Sequence, residues 1–186
     1  METEVTRKLF TADEYYRMGE AGIFGEGARL ELIEGEIIEM SPVGNRHIGC
    51  VNRANALFAV RLATRAVLSV QNPILLSSDT EPQPDIVLAR PREDYYGGKR
   101  ISPADTFLVL EVSDTTLRYD RKRKMPLYAK WGVPELWIEN LESDVILVFR
   151  DPTPTGYANT LTLHRGESIA VAAFPDVAFT VDELLG

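Results

Sequence analysis

Cysteine is almost missing from this sequence, with Cys50 alone in 186 residues. One thiol excludes an internal disulfide framework and a cysteine-rich zinc site, and it fits a reducing compartment in which Cys50 is a small buried side chain. Long apolar runs are missing as well. None approaches the roughly 18 residues a membrane span needs, and the opening METEVTRKLF has no basic-then-apolar signal pattern, so a cytoplasmic protein with no membrane partner is expected. Basic charge is in short supply: 20 Lys and Arg face 28 Asp and Glu, a net charge of −8. That balance argues against a protein that coats nucleic acid through its overall field. Low-complexity tracts and fixed-period repeats do not occur, which sets disorder and solenoids aside.

What remains is a chain with 45% hydrophobic residues, enough for one core, so residues 1–186 are expected to form a single domain. One local exception to the acidic balance is RYDRKRK, which packs Arg118, Arg121, Lys122, Arg123 and Lys124 into seven residues. Thr11 and Glu14 form a capping box that predicts a short helix ending near Gly19 or Gly22. RLELIEGEIIEM alternates about Glu34-Gly35, which predicts a β-hairpin with Leu30, Leu32 and Ile37 on its inner face. From about Arg46 to Arg65, apolar residues at helical spacing predict a long helix. The runs AVLSVQ, ILLSS, DIVLAR and FLVLEV read as strands, broken by NP, SDTEPQP and PREDYYGGKRISPAD. A helix over about 118–131 follows. ELWIEN, DVILVFR, YANTLTL and SIAVAAF read as further strands, with a last turn at TVDELLG. Strands and helices without strict alternation predict an α/β fold, a mixed sheet flanked by helices.

Two acids interrupt the apolar runs. Asp85 opens DIVLAR and is either a turn cap or a ligand. Glu111 lies inside FLVLEVS, a strand apolar enough to be buried on both sides, where an ionised carboxylate needs a metal or a cation. Ser113 shares its face. In the helix that follows, counting about 100° per residue from Asp120 places Leu127, Tyr128, Met125 and Trp131 in one apolar stripe. Lys124 falls inside that stripe, while Lys122, Arg123 and Lys130 fall outside it. Lys124 is then either the partner of Asp120 one turn earlier or a lysine aimed at a site, and Pro126 weakens the count. Two carboxylates on adjacent strands and one inward lysine are the minimal set for metal-dependent phosphodiester hydrolysis. The oxygens hold a hard divalent ion, and the lysine orients or deprotonates the attacking water.

The series QPD, LVLEVSD and YDRKRKMPLYAKWGVPELWIEN resembles the Uma-type restriction endonuclease family, a branch of the PD-(D/E)XK nuclease superfamily. RLELIEGEIIEMSP with His47, and the closing VDELLG, extend the resemblance over about residues 9–185. It implies a restriction-endonuclease-like mixed β-sheet flanked by helices, with additional N- and C-terminal β-strands. It also implies metal ligands at Asp85 and Glu111, a further acid at Glu31, and an active-site lysine at Lys124. The superfamily's usual lysine two residues after the second acid is replaced by Ser113. His47 matches a recurrent histidine of unassigned role. Gln83 either orients a metal-bound water or bonds the backbone, and Asp120 steers Lys124. Tyr128, Trp131 and Trp137 read as packing residues.

The expected function is a Mg²⁺-dependent DNA endonuclease, with Mn²⁺ as a substitute ion, acting on DNA held against the basic helix face. A homodimer is expected because two symmetric sites are the simplest way to cut both strands. The alternative is a catalytically inactive nuclease-like domain that binds nucleic acid or protein.

Overall fold

The structure is a computed structural model that describes residues 6–114 and 116–186; the first five residues of the N-terminal stretch read for a signal pattern lie outside it. Helix α1 (Ala12–Glu20) starts at the capping box: the Thr11 hydroxyl accepts the Glu14 amide at 3.2 Å, and Glu14 accepts the Thr11 amide at 2.9 Å. Strands β1 (Leu30–Ile33) and β2 (Glu36–Glu39) form the predicted hairpin. Its turn residues Glu34 and Gly35 both have positive φ, 50° and 77°, as a two-residue turn of this hand requires. A Cβ on Gly35 would stand 2.6 Å from that of Leu9, so only glycine fits there. The inner face differs from the expectation: Glu31, Leu32 and Ile33 are all buried, while Leu30 and Ile37 are half-buried. The hairpin is packed on both sides.

Helix α2 (Asn45–Leu62) buries His47, Cys50, Val51, Ala54, Phe58 and Leu62 along one stripe. Strands β3 (Val67–Val70), β4 (Ile86–Ala89), β5 (Thr106–Ser113), β6 (Glu135–Asn140), β7 (Val145–Thr153) and β8 (Gly156–Leu163) form one sheet in that order. Every pairing is antiparallel except β5 with β6. A parallel pair needs a crossover, and this one runs through α3 (Leu117–Tyr119), a π-helical segment (Asp120–Lys124) and α4 (Met125–Lys130). Strands β9 (Ser168–Ala170) and β10 (Ala178–Thr180) make a second small hairpin, and α5 (Val181–Leu185) closes the chain.

The alternation of the strands assigns two cores. Ile86, Leu88, Leu108, Leu110, Val112, Trp137 and Val148 pack under α2 and α5. Val87, Val109, Leu136, Ile138 and Leu147 pack with Leu127 and Tyr128 of α4 and with Ile33 of the first hairpin. Two sequence readings are corrected here. The run ILLSS is not a strand of the sheet: Ile74, Leu75 and Leu76 bond irregularly to Pro82, Ile101 and Thr80 while Ile74 and Leu76 stay buried. Trp131 is not a packing residue, because α4 ends at Lys130 and leaves its ring 39% exposed.

Candidate active site

Strands β4 and β5 pair Ile86 with Leu110, and continuing that register by one residue sets Asp85 beside Glu111. Asp85 stands just before β4, at the end of the sheet where both helical layers come within reach. Its Oδ2 accepts the Val112 amide at 2.9 Å and lies 3.0 Å from His47 Nε2 on α2. Its Oδ1 has only Gln71 Nε2, at 3.4 Å. The residue is thus neither a simple turn cap nor free: one oxygen is anchored and the other is nearly unclaimed.

Glu111, Lys124, Glu31 and Tyr128 form a second, tighter group. Lys124 Nζ is 2.8 Å from Glu31 Oε1 and donates to Glu111 Oε1 at 3.2 Å, and the Tyr128 hydroxyl donates to the same Glu111 oxygen at 2.7 Å. All four are buried, Lys124 to 2% exposure. Burial raises the Glu111 carboxyl to about 8; Lys124 opposes that shift, and Asp120, Asp85 and Glu31 add to it. Burial alone would lower the Lys124 amine, but Glu111, Glu31 and Asp120 outweigh it and its pKa is raised. Lys124 therefore stays a cation among carboxylates. Burial also lifts the Tyr128 phenol well above its usual range, so Tyr128 acts as a donor.

The remaining predicted residues support this group. Ser113 Oγ donates to Asp120 Oδ2 at 2.5 Å, and Thr116 Oγ1 donates to the same oxygen at 2.7 Å. Asp120 makes no ion pair with Lys124 among the described residues, and its influence on the lysine is through the field alone. The reason is the π-helical segment, whose wider turn closes on the Met125 amide bonding back to Asp120. Gln83 bonds the backbone: its Nε2 donates to the Gln71 carbonyl at 2.6 Å, and its amide donates to Glu31 Oε1 at 3.0 Å.

His47, Gln83, Asp85, Glu111, Asp120 and Lys124 all line one cavity of about 270 Å³, closed on the other side by Arg29 and residues 40–44. Arg29 was not singled out by sequence, yet its buried Nη1 has no partner among the described residues. Nothing in GEGARLELI marks it, since its place in the cavity depends on how the hairpin docks. A second missed residue is Glu139, buried with neither oxygen partnered among the described residues. Burial pushes its carboxyl well up, and Asp85 adds to that while Arg53 opposes. Alternation offered a signal for it, since Glu139 shares a strand face with Trp137.

The donor set suits a hard cation. Asp85 Oδ1 is weakly held, and Glu111 Oε2 accepts no hydrogen bond among the described residues. No group of three or more His, Cys, Asp or Glu side chains is set to hold a metal among the described residues. Two carboxylate oxygens with the rest water is the environment of Mg²⁺ rather than of structural zinc. Oxygen donors of this kind are the type a hard divalent ion takes.

Comparison with known proteins bears on the fold and the family. No curated protein matches the chain in sequence. Among solved structures, a protein described as a "putative nuclease belonging to DUF820" from Anabaena variabilis ATCC 29413 shares the fold. Its TM-score is 0.72 at 16% identity, over 95% of this chain and 97% of that one. The model of the Uma2 family, described as "Putative restriction endonuclease", matches residues 12–182. With nearly its whole length inside that match, the chain belongs to the Uma2 family.

Proposed function

We propose that the protein is a Mg²⁺-dependent endonuclease that hydrolyses DNA phosphodiester bonds. The observation that carries this reading is the meeting of Asp85, Glu111 and Lys124 in one cavity, from two adjacent strands and the crossover between β5 and β6. Asp85 and Glu111 would hold the ion, with Mn²⁺ as a substitute. The bound ion supplies Lewis-acid stabilisation of the phosphorane-like transition state and a more acidic water.

The protein's own groups divide the remaining work. His47 and the Val112 amide fix Asp85, so that one oxygen keeps its aim. Tyr128 and Lys124 fix Glu111 in the same way. Lys124, held charged by Glu31 and Glu111, serves as a positioning cation for the attacking water and for charge growing on the phosphoryl oxygens. Its raised pKa disfavours a general-base role, since it has no free lone pair near neutral pH. Arg29 is placed to meet a non-bridging oxygen of the phosphate.

We further propose a cytoplasmic homodimer, two copies being the simplest route to a double-strand cut. The buried, single Cys50 accords with that compartment, and no helix among the described residues is long and apolar enough to cross a membrane. The central test is Mg²⁺-stimulated nicking of plasmid DNA by Asp85→Ala and Glu111→Ala, with folding checked by circular dichroism. Both variants should stay folded and lose nicking. Undiminished cleavage in both overturns the assignment, and calorimetric titration with Mn²⁺ distinguishes a metal-free binding module from an enzyme.

A further inference from the structure

The cavity is small, and a second hollow lies against it. Asp85, Glu111 and Lys124 are 6%, 4% and 2% exposed, so a phosphate has to enter the cavity to reach them. A groove of about 550 Å³ adjoins the cavity, and the two share Met40, Ser41 and Thr116 as lining. The groove has apolar surface from Ile38, Met40 and the ring of Tyr119, and it is also lined by Arg118 and Lys122 and by one acid, Glu39. Arg123, also in the lining, is engaged by Glu36 at 3.1 Å and Glu34 at 3.5 Å. Arg118 and Lys122 have no ion pair or hydrogen bond among the described residues.

Together the two hollows offer Arg29 beside the acids of the cavity and, in the adjoining groove, the apolar surface of Ile38, Met40 and Tyr119 with the cations Arg118 and Lys122 and the single acid Glu39. That combination is the chemistry of a nucleotide backbone with its base turned aside, phosphates for the cations and a flat apolar body for the apolar slot. A paired base does not match it. In a duplex the base faces its partner and is covered by stacking, so only its sugar edge would meet the slot, and an unstacked base is what fills such a surface. Charge argues the same way. Arg118 and Lys122, with Arg121 in the neighbouring hollow, can offset few phosphates on a chain of net charge −8, and a duplex would bring a second row of phosphates near Glu39, Asp114 and Glu142.

We propose that the groove is a subsite for the nucleoside next to the scissile phosphate, its base unstacked against Ile38, Met40 and Tyr119 and its outer phosphate on Arg118 and Lys122. The preferred substrate is then an unpaired strand, whether a single-stranded stretch, a flap or a frayed end. The proposal rests on the nuclease reading of the cavity and narrows its substrate.

The test uses the whole protein with Ca²⁺ in place of Mg²⁺. Fluorescence anisotropy compares one labelled oligonucleotide single-stranded and annealed to its complement, over a range of salt. Single strand should bind about 10-fold tighter or more, and Lys122→Ala should lower the salt slope by about one. Ile38→Asp, which puts charge in the slot at a residue that does not line the metal cavity, should weaken single-strand binding without altering Mn²⁺ affinity. Equal or tighter binding of duplex overturns the subsite, as does unchanged single-strand affinity in both variants. If duplex is bound and cut equally well, the nuclease reading survives and the subsite falls. If single strand binds as described but no strand is cut with Mg²⁺, the subsite stands and the nuclease reading falls. If neither form binds, both fall.

Discussion

Glu135 and Glu111 are the same residue, both in central strands and both buried, yet they sit in opposite situations. Glu135, in β6, has every oxygen claimed: Oε1 accepts Trp137 Nε1–H at 2.7 Å and Arg150 Nε–H at 2.8 Å, and Oε2 accepts the Ala172 amide at 2.7 Å. Glu111, in β5, has Oε1 doubly bonded and Oε2 unclaimed among the described residues, at the wall of a cavity. A third carboxyl, Glu139, has no partner for either oxygen among the described residues and does not line that cavity. Burial is common to all three, so burial does not set Glu111 apart. What marks it is one satisfied oxygen for rigidity and one spare oxygen at a cavity wall.

The largest effect expected from this contrast is catalytic. Glu111→Gln keeps the shape and a hydrogen-bond acceptor for Lys124 and Tyr128 but removes the anionic oxygen, so cleavage should fall by about 10²–10³ or more while stability changes little. Nicking rates and urea denaturation of one sample measure both quantities. The pairing of lost activity with kept stability is the signature. An equal loss of both would make Glu111 a second Glu135.

Glu135→Ala should show the mirror image in stability. It strips the buried Trp137 indole and the partly exposed Arg150 of their acceptor, which should cost about 3 kcal/mol in urea unfolding and leave metal affinity unaltered. A loss of Mn²⁺ binding at constant fold would break the comparison. For Glu139 the expected sign reverses. Its carboxyl is desolvated with nothing in return, so Glu139→Met, close in length and able to fill the same space, should stabilise the protein by about 1–3 kcal/mol. A destabilised Glu139→Met protein would mean that the acid has a partner the contrast omits.

Much of this arrangement was legible in the sequence. Thr11 with Glu14 marked a helix start, Glu34-Gly35 marked a hairpin, and acids inside apolar runs marked Asp85 and Glu111, because each of those signals is local. Lys124 was placed correctly on the inward side by a count that assumed regular helix, although the segment is π-helical and Asp120 is turned to Ser113 and Thr116 instead. The illegible part is tertiary. Tyr128 reads as an apolar ring, and its hydroxyl matters only because the crossover lays α4 over β5. Arg29 enters the cavity only through the docking of the first hairpin. Trp131 reads as core until the end of α4 is known, and ILLSS reads as a strand because burial in an irregular loop leaves the same apolar pattern.

The last contrast is a slope with pH, and it separates Glu111 from Glu139 through the bound ion. The ordinary glutamate value is 4.5 and burial lifts Glu111 to about 8. Between those pH values the folded metal-free protein holds a proton that the unfolded chain has released, so rising pH favours unfolding. The stabilising share of Glu111 is complete below about pH 4.5 and is lost as pH climbs to about 8. Glu139, also raised, contributes a slope of the same sign. A bound ion requires the Glu111 carboxylate, so saturating Mg²⁺ displaces its proton from the folded state and removes that share of the slope. Glu139 does not line the cavity, and its share should persist. Thermal unfolding from pH 5 to 8 should therefore fall more steeply without Mg²⁺ than with it, and Glu111→Gln should abolish the difference while Glu139→Met leaves it intact. A slope that Mg²⁺ does not change, in protein shown by calorimetry to bind the ion, would put the ion on other atoms than the Glu111 carboxylate.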